Sequence, residues 1–528
     1  MKKRENLFYT IATFLLQLVN LLLFFLKIPG AVDFRAGFLE FHPSKITLYF
    51  YLVILLFLLG LSLRAIFLQG RVAAVAPRFL LLAAAVNLLY ISYMILHHVE
   101  EQAIWFILLR LILGLTAGCL LFSLYPRTKL HKNRLLKVIA IGLCGVLALL
   151  PVSQLLPNRR SYAPVVYAVE DSYQIVWHTS GKSAAWVEID GTRHYDSVGG
   201  AVRSSETIHK VVVPMAELDT AREYVVYSQK LFYRGAYFAL KGKALSESFT
   251  FRPVDASDGL KVYHLADTHS NGKASAMAAL YWEDGLDLLI LNGDISSDVA
   301  LEQDPLFVLE LASKITRGQV PVLYARGNHE TRGACTERFG RYVGCVNEGD
   351  YYYTTRLGNL WILVLDFGED KEDGHVEYSG LADYGQYRAR EAAFVERVAA
   401  EKAYEAPGIT HRLLVSHIRV NNTQEVYGDL PARWTALANE MGIDLHLCGH
   451  AHDTIFMEAA PAGAEDDYPR DFPVVIGSKR VAGDEGENSE LPQSGFIGTA
   501  LQFKEDGIDV FFTSQKWERV GAAHHIPK

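Results

Sequence analysis

The sequence predicts a chain of three parts: an α-helical transmembrane bundle of about five spans over residues 1–157, an all-β sandwich over 158–255, and an α/β domain over 258–515. Three observations carry this reading. Five apolar stretches, each near the ~20 residues a helix needs to cross a bilayer, crowd into the first 157 residues. Beyond Pro157 the pattern turns to short alternating segments bounded by turn residues. From about residue 258, strand-like apolar runs alternate with helix-compatible segments. At 528 residues the chain is also too long for one ordinary core.

The expected spans are 7–26, 47–68, 79–96, 104–124 and 138–156. Their connections are short, and they mostly lack the polar face that recurs every third or fourth residue on a soluble helix. Eleven Lys and Arg residues fall on the amino-terminal side of this bundle and five on the other. The richer side is the cytoplasmic one. The expectation is therefore a multi-pass plasma-membrane protein held in the lipid bilayer, its amino terminus cytoplasmic and everything after residue 157 extracytoplasmic. The first span also reads as a cleavable leader, because Pro29-Gly30-Ala31 places small residues near its end; export is unchanged either way. Arg110, inside the fourth span, marks a functional site by default, or pairs within the bundle or snorkels. No transporter pattern is present, so the bundle reads as an anchor.

In the second part, strands are expected at 165–169, 173–178, 185–189, 208–213, 223–231 and 247–251, with Asp190-Gly191 and Gly199-Gly200 as turns. The fragment Tyr173-Gln174-Ile175-Val176-Trp177-His178-Thr179, with Leu218-Asp219-Thr220 and Tyr224, resembles a fibronectin type III-like domain of the kind that precedes the catalytic domain in purple acid phosphatases. Trp177 is expected in its core. The domain is expected to hold the catalytic unit clear of the membrane.

In the third part, strands are expected at 261–266, 286–291, 320–324, 360–365, 412–416, 443–448 and 474–477, then a hairpin over 496–512 turning at Glu505-Asp506-Gly507. Helices are expected at 305–316, 386–402 and 431–441, which gives an α/β layout. Five apolar runs lead into metal-ligating residue types: Asp267-Thr268-His269, Gly293-Asp294, Gly327-Asn328-His329-Glu330, His417, and Gly449-His450-Ala451-His452. In this order, D-x-H, G-D, G-N-H-E, H and G-H-x-H, they resemble the calcineurin-like metallophosphoesterase superfamily. A single block would be weak evidence, whereas five in order are not an accident of composition.

The resemblance implies a four-layer α/β sandwich, two sheets face to face with helices outside, and two divalent metal ions. Asp267, His269 and His452 would hold one metal, Asn328, His417 and His450 the other, and Asp294 would bridge them. Two carboxylates and otherwise neutral donors leave such a site positive, so it attracts a phosphate. Metals about 3.5–4 Å apart polarise a phosphoryl group and activate the attacking water. His329 is the expected catalytic residue, donating a proton to the leaving oxygen or stabilising the transition state. Arg326 and Glu330 are secondary candidates for substrate contact, Glu330 also as a partner behind a ligand. The mixed oxygen and nitrogen donors, without thiolate, suit Mn, Fe or Zn alike. Purple acid phosphatases carry D-x-G in the first block and a tyrosine three residues after the second-block aspartate. Here those positions hold His269 and Ser297, so divalent metal without a tyrosinate colour is expected.

A net charge of −8 with no lysine-rich run excludes a nucleic-acid partner on charge grounds. The five cysteines form no C-x-x-C pair. Cys119 and Cys144 read as packing residues, Cys335 and Cys345 are open to a disulfide if exported, and Cys448 is left over. His264 should face away from the site, His446 sits in the core or behind a ligand, and His375, His411, His524 and His525 should be exposed. Asp298, Asp366 and Asp453 orient ligands or cap turns. The function expected is hydrolysis of a phosphate ester by a membrane-anchored, outward-facing enzyme, with monoester, diester and pyrophosphate all open. The alternative is a membrane sensor or adhesion protein with a non-catalytic phosphoesterase fold; lost ligands would mark it, and none is lost.

Overall fold

The computed structural model describes residues 11–12, 14–20, 56, 87, 158–197, 202–234, 239–255, 259–347, 349–422, 424–463, 468–481 and 495–528. The chain divides into two compact units, 1–157 with 230–243, and 158–229 with 244–528. The second unit carries the site.

Its elements run β1 (Val165–Val169), β2 (Ser172–His178), β3 (Ser183–Ile189), β4 (Thr192–Tyr195), β5 (Ile208–Pro214), α1 (Met215–Ala221), β6 (Glu223–Arg234), β7 (Ala239–Thr250) and β8 (Lys261–Leu265). There follow α2 (Gly272–Ala279), β9 (Leu288–Asn292), α3 (Gln303–Thr316), β10 (Pro321–Ala325), β11 (Tyr353–Leu357), β12 (Leu360–Leu365), α4 (Tyr384–Glu401), β13 (His411–Ser416), α5 (Leu430–Glu440) and β14 (Leu445–Cys448). The chain ends with β15 (Thr454–Met457), β16 (Val474–Gly477), β17 (Lys479–Val481), β18 (Gly495–Lys504), β19 (Gly507–Ser514) and β20 (Arg519–Pro527).

Two large sheets organise these strands. One runs β20-β19-β18-β8-β9-β10-β1-β2-β5, with β17 beside β18; the other runs β11-β12-β13-β14-β16-β15. In the first, β8, β9 and β10 pair in parallel; in the second, β12, β13, β14 and β16 do. Strands covered on both faces read as continuous apolar runs, and Leu-Leu-Ile-Leu-Asn of β9 and Pro-Val-Leu-Tyr-Ala of β10 are buried throughout. The period-2 alternation of a strand shows where each face goes. Ile362, Val364, Leu413, Val415, Leu445 and Leu447 join the core shared with the first sheet. The intervening Trp361, Leu363, Leu365 and Leu414 pack instead with Val395 and Val398 of α4 and Trp434 and Ala438 of α5. Pro431 in the first turn of α5 costs that helix no hydrogen bond. The result positions the carboxyl ends of β8, β9, β10, β13 and β14 together.

Several expectations need correction. The five-span bundle, and the plasma-membrane, multi-pass placement drawn from it, are withdrawn. Among the described residues no helix is long and apolar enough to cross a membrane, and crossing needs about 20 apolar residues in one helix. The expected spans, apart from residues 11–12, 14–20, 56 and 87, lie outside the described residues, as do Arg110, Cys119 and Cys144.

The second correction concerns the fibronectin type III-like domain. Its strands divide between sheets: β3, β4, β6 and β7 make a four-stranded sheet, while β1, β2 and β5 extend the ten-stranded one. Strand β1 pairs in parallel with β10, Val166 opposite Pro321 and Tyr167 opposite Val322. Strands β1, β2 and β5 are therefore built into the same sheet as β8, β9 and β10. Trp177 is fully buried, its indole N–H on Ser228 Oγ at 2.9 Å.

Third, no disulfide joins Cys335 and Cys345, and both are buried. The sheet also continues past residue 515, where β20 pairs with β19. His411, expected at the surface, is buried against Phe503.

Candidate metal centre

Each ligand-type residue stands just beyond a strand end. Asp267 and His269 follow β8, Asp294 follows β9, Asn328 and His329 follow β10, His417 follows β13, and His450 and His452 follow β14. Asp267, His269, Asp294 and His452 bring their donor atoms within 4.8 Å of one another, and Asp294, His417 and His450 form a second such group. Asp294 is common to both.

The loops are tight because the motif glycines let backbones touch. A Cβ on Gly293 would fall 2.6 Å from Gly327 Cα and from His417 Nδ1; one on Gly327 would fall 2.3 Å from Asp294 Oδ1. Asp267, His269, Asp294, His450 and His452 all adopt left-handed backbone, with φ between +42° and +69°. Non-glycine residues hold such φ values at a cost of about 1–3 kcal/mol each, so the surrounding structure must impose them.

Glu330 supplies part of that restraint. It is fully buried and accepts the backbone N–H groups of Asp294 (2.9 Å), Ile295 (2.8 Å), Ser296 (3.1 Å) and Gly327 (3.0 Å). It clamps two motif loops together and has no free oxygen for substrate. Arg326 is likewise committed, paired with Asp366 at 2.8 Å and stacked by the rings of Tyr351 and Tyr387. Burial opposes its charge but Asp366 raises its pKa.

Hydrogen bonds fix which atoms are left to face a cation. His417 Nδ1 donates to the Asn292 carbonyl at 2.7 Å, which leaves Nε2, buried and without a hydrogen-bond partner, 3.2 Å from Asp294 Oδ2. Asn328 Nδ2 donates to Glu369 at 3.2 Å, and its buried Oδ1 has no partner. His450 Nε2 donates to Asp370 at 3.0 Å. His269 Nε2 and His452 Nε2 lie 3.0 Å apart, nitrogen to nitrogen, an arrangement a shared cation satisfies. A tautomer set from behind in this way is how proteins prepare imidazole ligands. The donor set thus fits two divalent metal ions.

The electrostatics agree. Burial raises the Asp267 carboxyl to about 7 and lowers His269 to about 3. Burial also works against ionised Asp294, but His417 and His329 outweigh it and hold this carboxyl well below the usual range. Burial would lower His417, yet Asp294 and then Asp267 raise it to about 10. The two carboxylates thus draw positive charge toward themselves, here a proton on His417.

His329 donates from Nδ1 to the Ser297 carbonyl at 2.6 Å, while Nε2 sits 3.3 Å from Arg332 Nη1 and 3.7 Å from Asp294 Oδ2. Sequence reading missed Asn292, Arg332, Glu369 and Asp370. Glu369 and Asp370 follow the apolar run of β12 as the other site residues follow theirs, which is the signal that could have found them. His264 and His446 are fully buried, bonded to Asn292 and Ser416 respectively. Asp453 pairs with Lys479 and Asp298 caps the Ala300 N–H.

No curated protein sequence matches the chain. Among solved structures it is similar to the purple acid phosphatase PPD1 of yellow lupin (Lupinus luteus), at 14% identity and a TM-score of 0.45, over 70% of this chain and 74% of that one. It is similar to PhoD at 11% identity and a TM-score of 0.40, over 70% and 90%. A conserved Streptococcus pneumoniae protein described as a predicted phosphoesterase matches at 11% identity and a TM-score of 0.26, over 52% and 100%. The family model for the calcineurin-like phosphoesterases matches residues 260–454, the span that contains all five ligand-bearing loops. Over residues 260–454 the chain is thus similar to the calcineurin-like phosphoesterases.

Proposed function

We infer that this domain hydrolyses a phosphate ester at a two-metal centre. Asp267, His269 and His452 would hold one divalent ion, Asn328, His417 and His450 the other, and Asp294 would serve both. The observation that carries this is the pair of buried, unpartnered atoms, Asn328 Oδ1 and His417 Nε2, aimed into a cluster of carboxylates and imidazoles. When bound, the ions polarise the phosphoryl group and lower the pKa of water.

The chain's own residues do the rest. Asp294, fixed by the His329 N–H on Oδ1 at 2.9 Å and by Glu330 on its own N–H, keeps the two ligand groups in register. His329 has its Nδ1 proton committed to Ser297, so Nε2 is the atom that handles the proton of the leaving oxygen. Arg332, beside that Nε2, meets the charge that gathers on the phosphoryl oxygens. Glu369 holds Asn328 and Arg332 at once.

The test uses the full chain loaded with Mn²⁺, Fe²⁺ or Zn²⁺ against phosphomonoester, phosphodiester and pyrophosphate substrates, with metal content measured beside it. Hydrolysis that chelator abolishes and metal restores is expected, from a colourless protein. Stoichiometric metal without turnover of any ester would favour the non-catalytic reading.

A further inference from the structure

A cavity of about 570 Å³ opens beside the candidate metal centre, within the size range of small-molecule sites. Its wall is continuous with the G-N-H-E loop. Thr331, in the wall, donates to the Asn328 carbonyl at 2.6 Å, and Arg332, also in the wall, reaches His329 Nε2 at 3.3 Å. Arg332 thus links this space to His329 Nε2, the atom assigned to the leaving group.

The lining says what that is. Tyr378, Tyr384 and Tyr387 contribute to it, but their hydroxyls are turned elsewhere: Tyr378 to Glu369, Tyr384 to Thr331 at 2.7 Å, Tyr387 to Asp366 at 2.9 Å. The walls therefore present ring carbon. Leu381 adds an apolar lip that is 90% exposed. Of the three arginines in the lining, Arg326 is paired with Asp366, Arg332 with Glu369 and Glu377, and Arg390 lies over the Tyr387 ring, while Glu337 and Asp383 add negative charge. A second phosphate is poorly served here.

We propose, resting on the phosphoesterase reading above, that this cavity holds the alcohol part of the substrate, a bulky, uncharged, aromatic-bearing group. The ester's phosphate lies at the metals and its leaving oxygen faces His329 Nε2. The enzyme is thereby selective for esters of large aromatic alcohols over small ones.

The experiment compares phenyl phosphate with 4-phenylphenyl phosphate, whose leaving groups are similarly acidic, and their diesters, on the metal-loaded full chain. It also measures binding of 4-phenylphenol alone by calorimetry. The larger ester is expected to have kcat/KM about tenfold or more higher, and the phenol to bind. Ala382→Trp, which fills the cavity, is expected to erase both the preference and phenol binding, the larger ester losing far more kcat/KM than the phenyl ester. Leu381→Asp, at a surface position that cannot upset folding much, is expected to weaken both in the same direction. Equal kcat/KM for the two esters in the wild type, or a preference that survives both substitutions, overturns the proposal. Phenol binding that Ala382→Trp abolishes, with no ester hydrolysed by the wild type, keeps the cavity as a site for such groups and overturns the phosphoesterase reading instead.

Discussion

The two halves of the candidate centre are built differently. Around Asn328, His417 and His450, each side chain is held from behind by the chain itself, through Glu369, the Asn292 carbonyl and Asp370. Around Asp267, His269 and His452, the backbone is left-handed at every ligand, the His269 and His452 rings meet each other, and the His452 side chain is 46% exposed against 2% for His417. One half is set by hydrogen bonds before any cation arrives; the other needs the cation to hold two imidazole nitrogens together. The lesson is that a motif can supply equal ligand counts to two positions and still give them unequal preorganisation. Two-step metal binding, tighter at the Asn328 half, follows.

The largest expected effect erases the comparison altogether. Asp294→Asn removes the ligand common to both groups, so both metals should be lost and turnover should drop to background, read by elemental analysis and by assay. Retention of one full equivalent would show that Asp294 serves a single half. Next, His329→Ala should keep both metals and lower kcat by about 10²–10⁴-fold, the range for a general acid. Metal loss in that variant would move His329 into the ligand set and redraw the boundary between halves.

Glu369→Ala sharpens the contrast. It frees the Asn328 amide, so affinity at that half should weaken by about 10–100-fold, as for residues that orient ligands, while the other half holds. Equal weakening in a stepwise metal titration would mean the halves are not separately braced.

The smallest effect lies beneath the site. His264 in β8 and His446 in β14 are buried, and burial lowers each to about 3. An unfolded histidine titrates near 6.5, so between these values the unfolded chain binds the proton and the folded chain does not. Stability must then fall as pH drops below about 6.5, by of order 3 kcal/mol per residue at pH 4. His446→Gln should flatten that acid slope in melts of the metal-free protein; an unchanged slope would place the proton uptake elsewhere.

The ligand loops were legible because coordination chemistry dictates residue identity and strand ends dictate position. His417 alone in its segment was readable only through the order of the other four blocks. Glu369 and Asp370 were not read, because following an apolar run is their only signal and a carboxylate that acts through a neighbour's side chain adds no spacing rule to it. Arg326 was read as facing substrate and Glu330 as either a substrate contact or a partner behind a ligand; burial, a property of packing, commits Arg326 to Asp366 and Glu330 to the loops behind the ligands. The placement of β1 was hidden for a related reason. Val-Val-Tyr-Ala-Val fits a sandwich or a central sheet equally well, and the strand that decides between them lies far along the chain. For the first 157 residues, apolar length alone suggested spans that the described residues do not bear out.

That distant pairing sets a schedule for synthesis. Val166 must wait for Pro321, its partner in the parallel ladder. At about 5–20 residues per second the wait is roughly 8–30 s. During it β1 is a fully apolar strand, bonded on one side to β2 and open on the other, the kind of edge that pairs with neighbouring nascent chains. Growth conditions that slow elongation between residues 169 and 321 should lengthen that exposure and lower the yield of folded protein before any active-site residue has been made to matter.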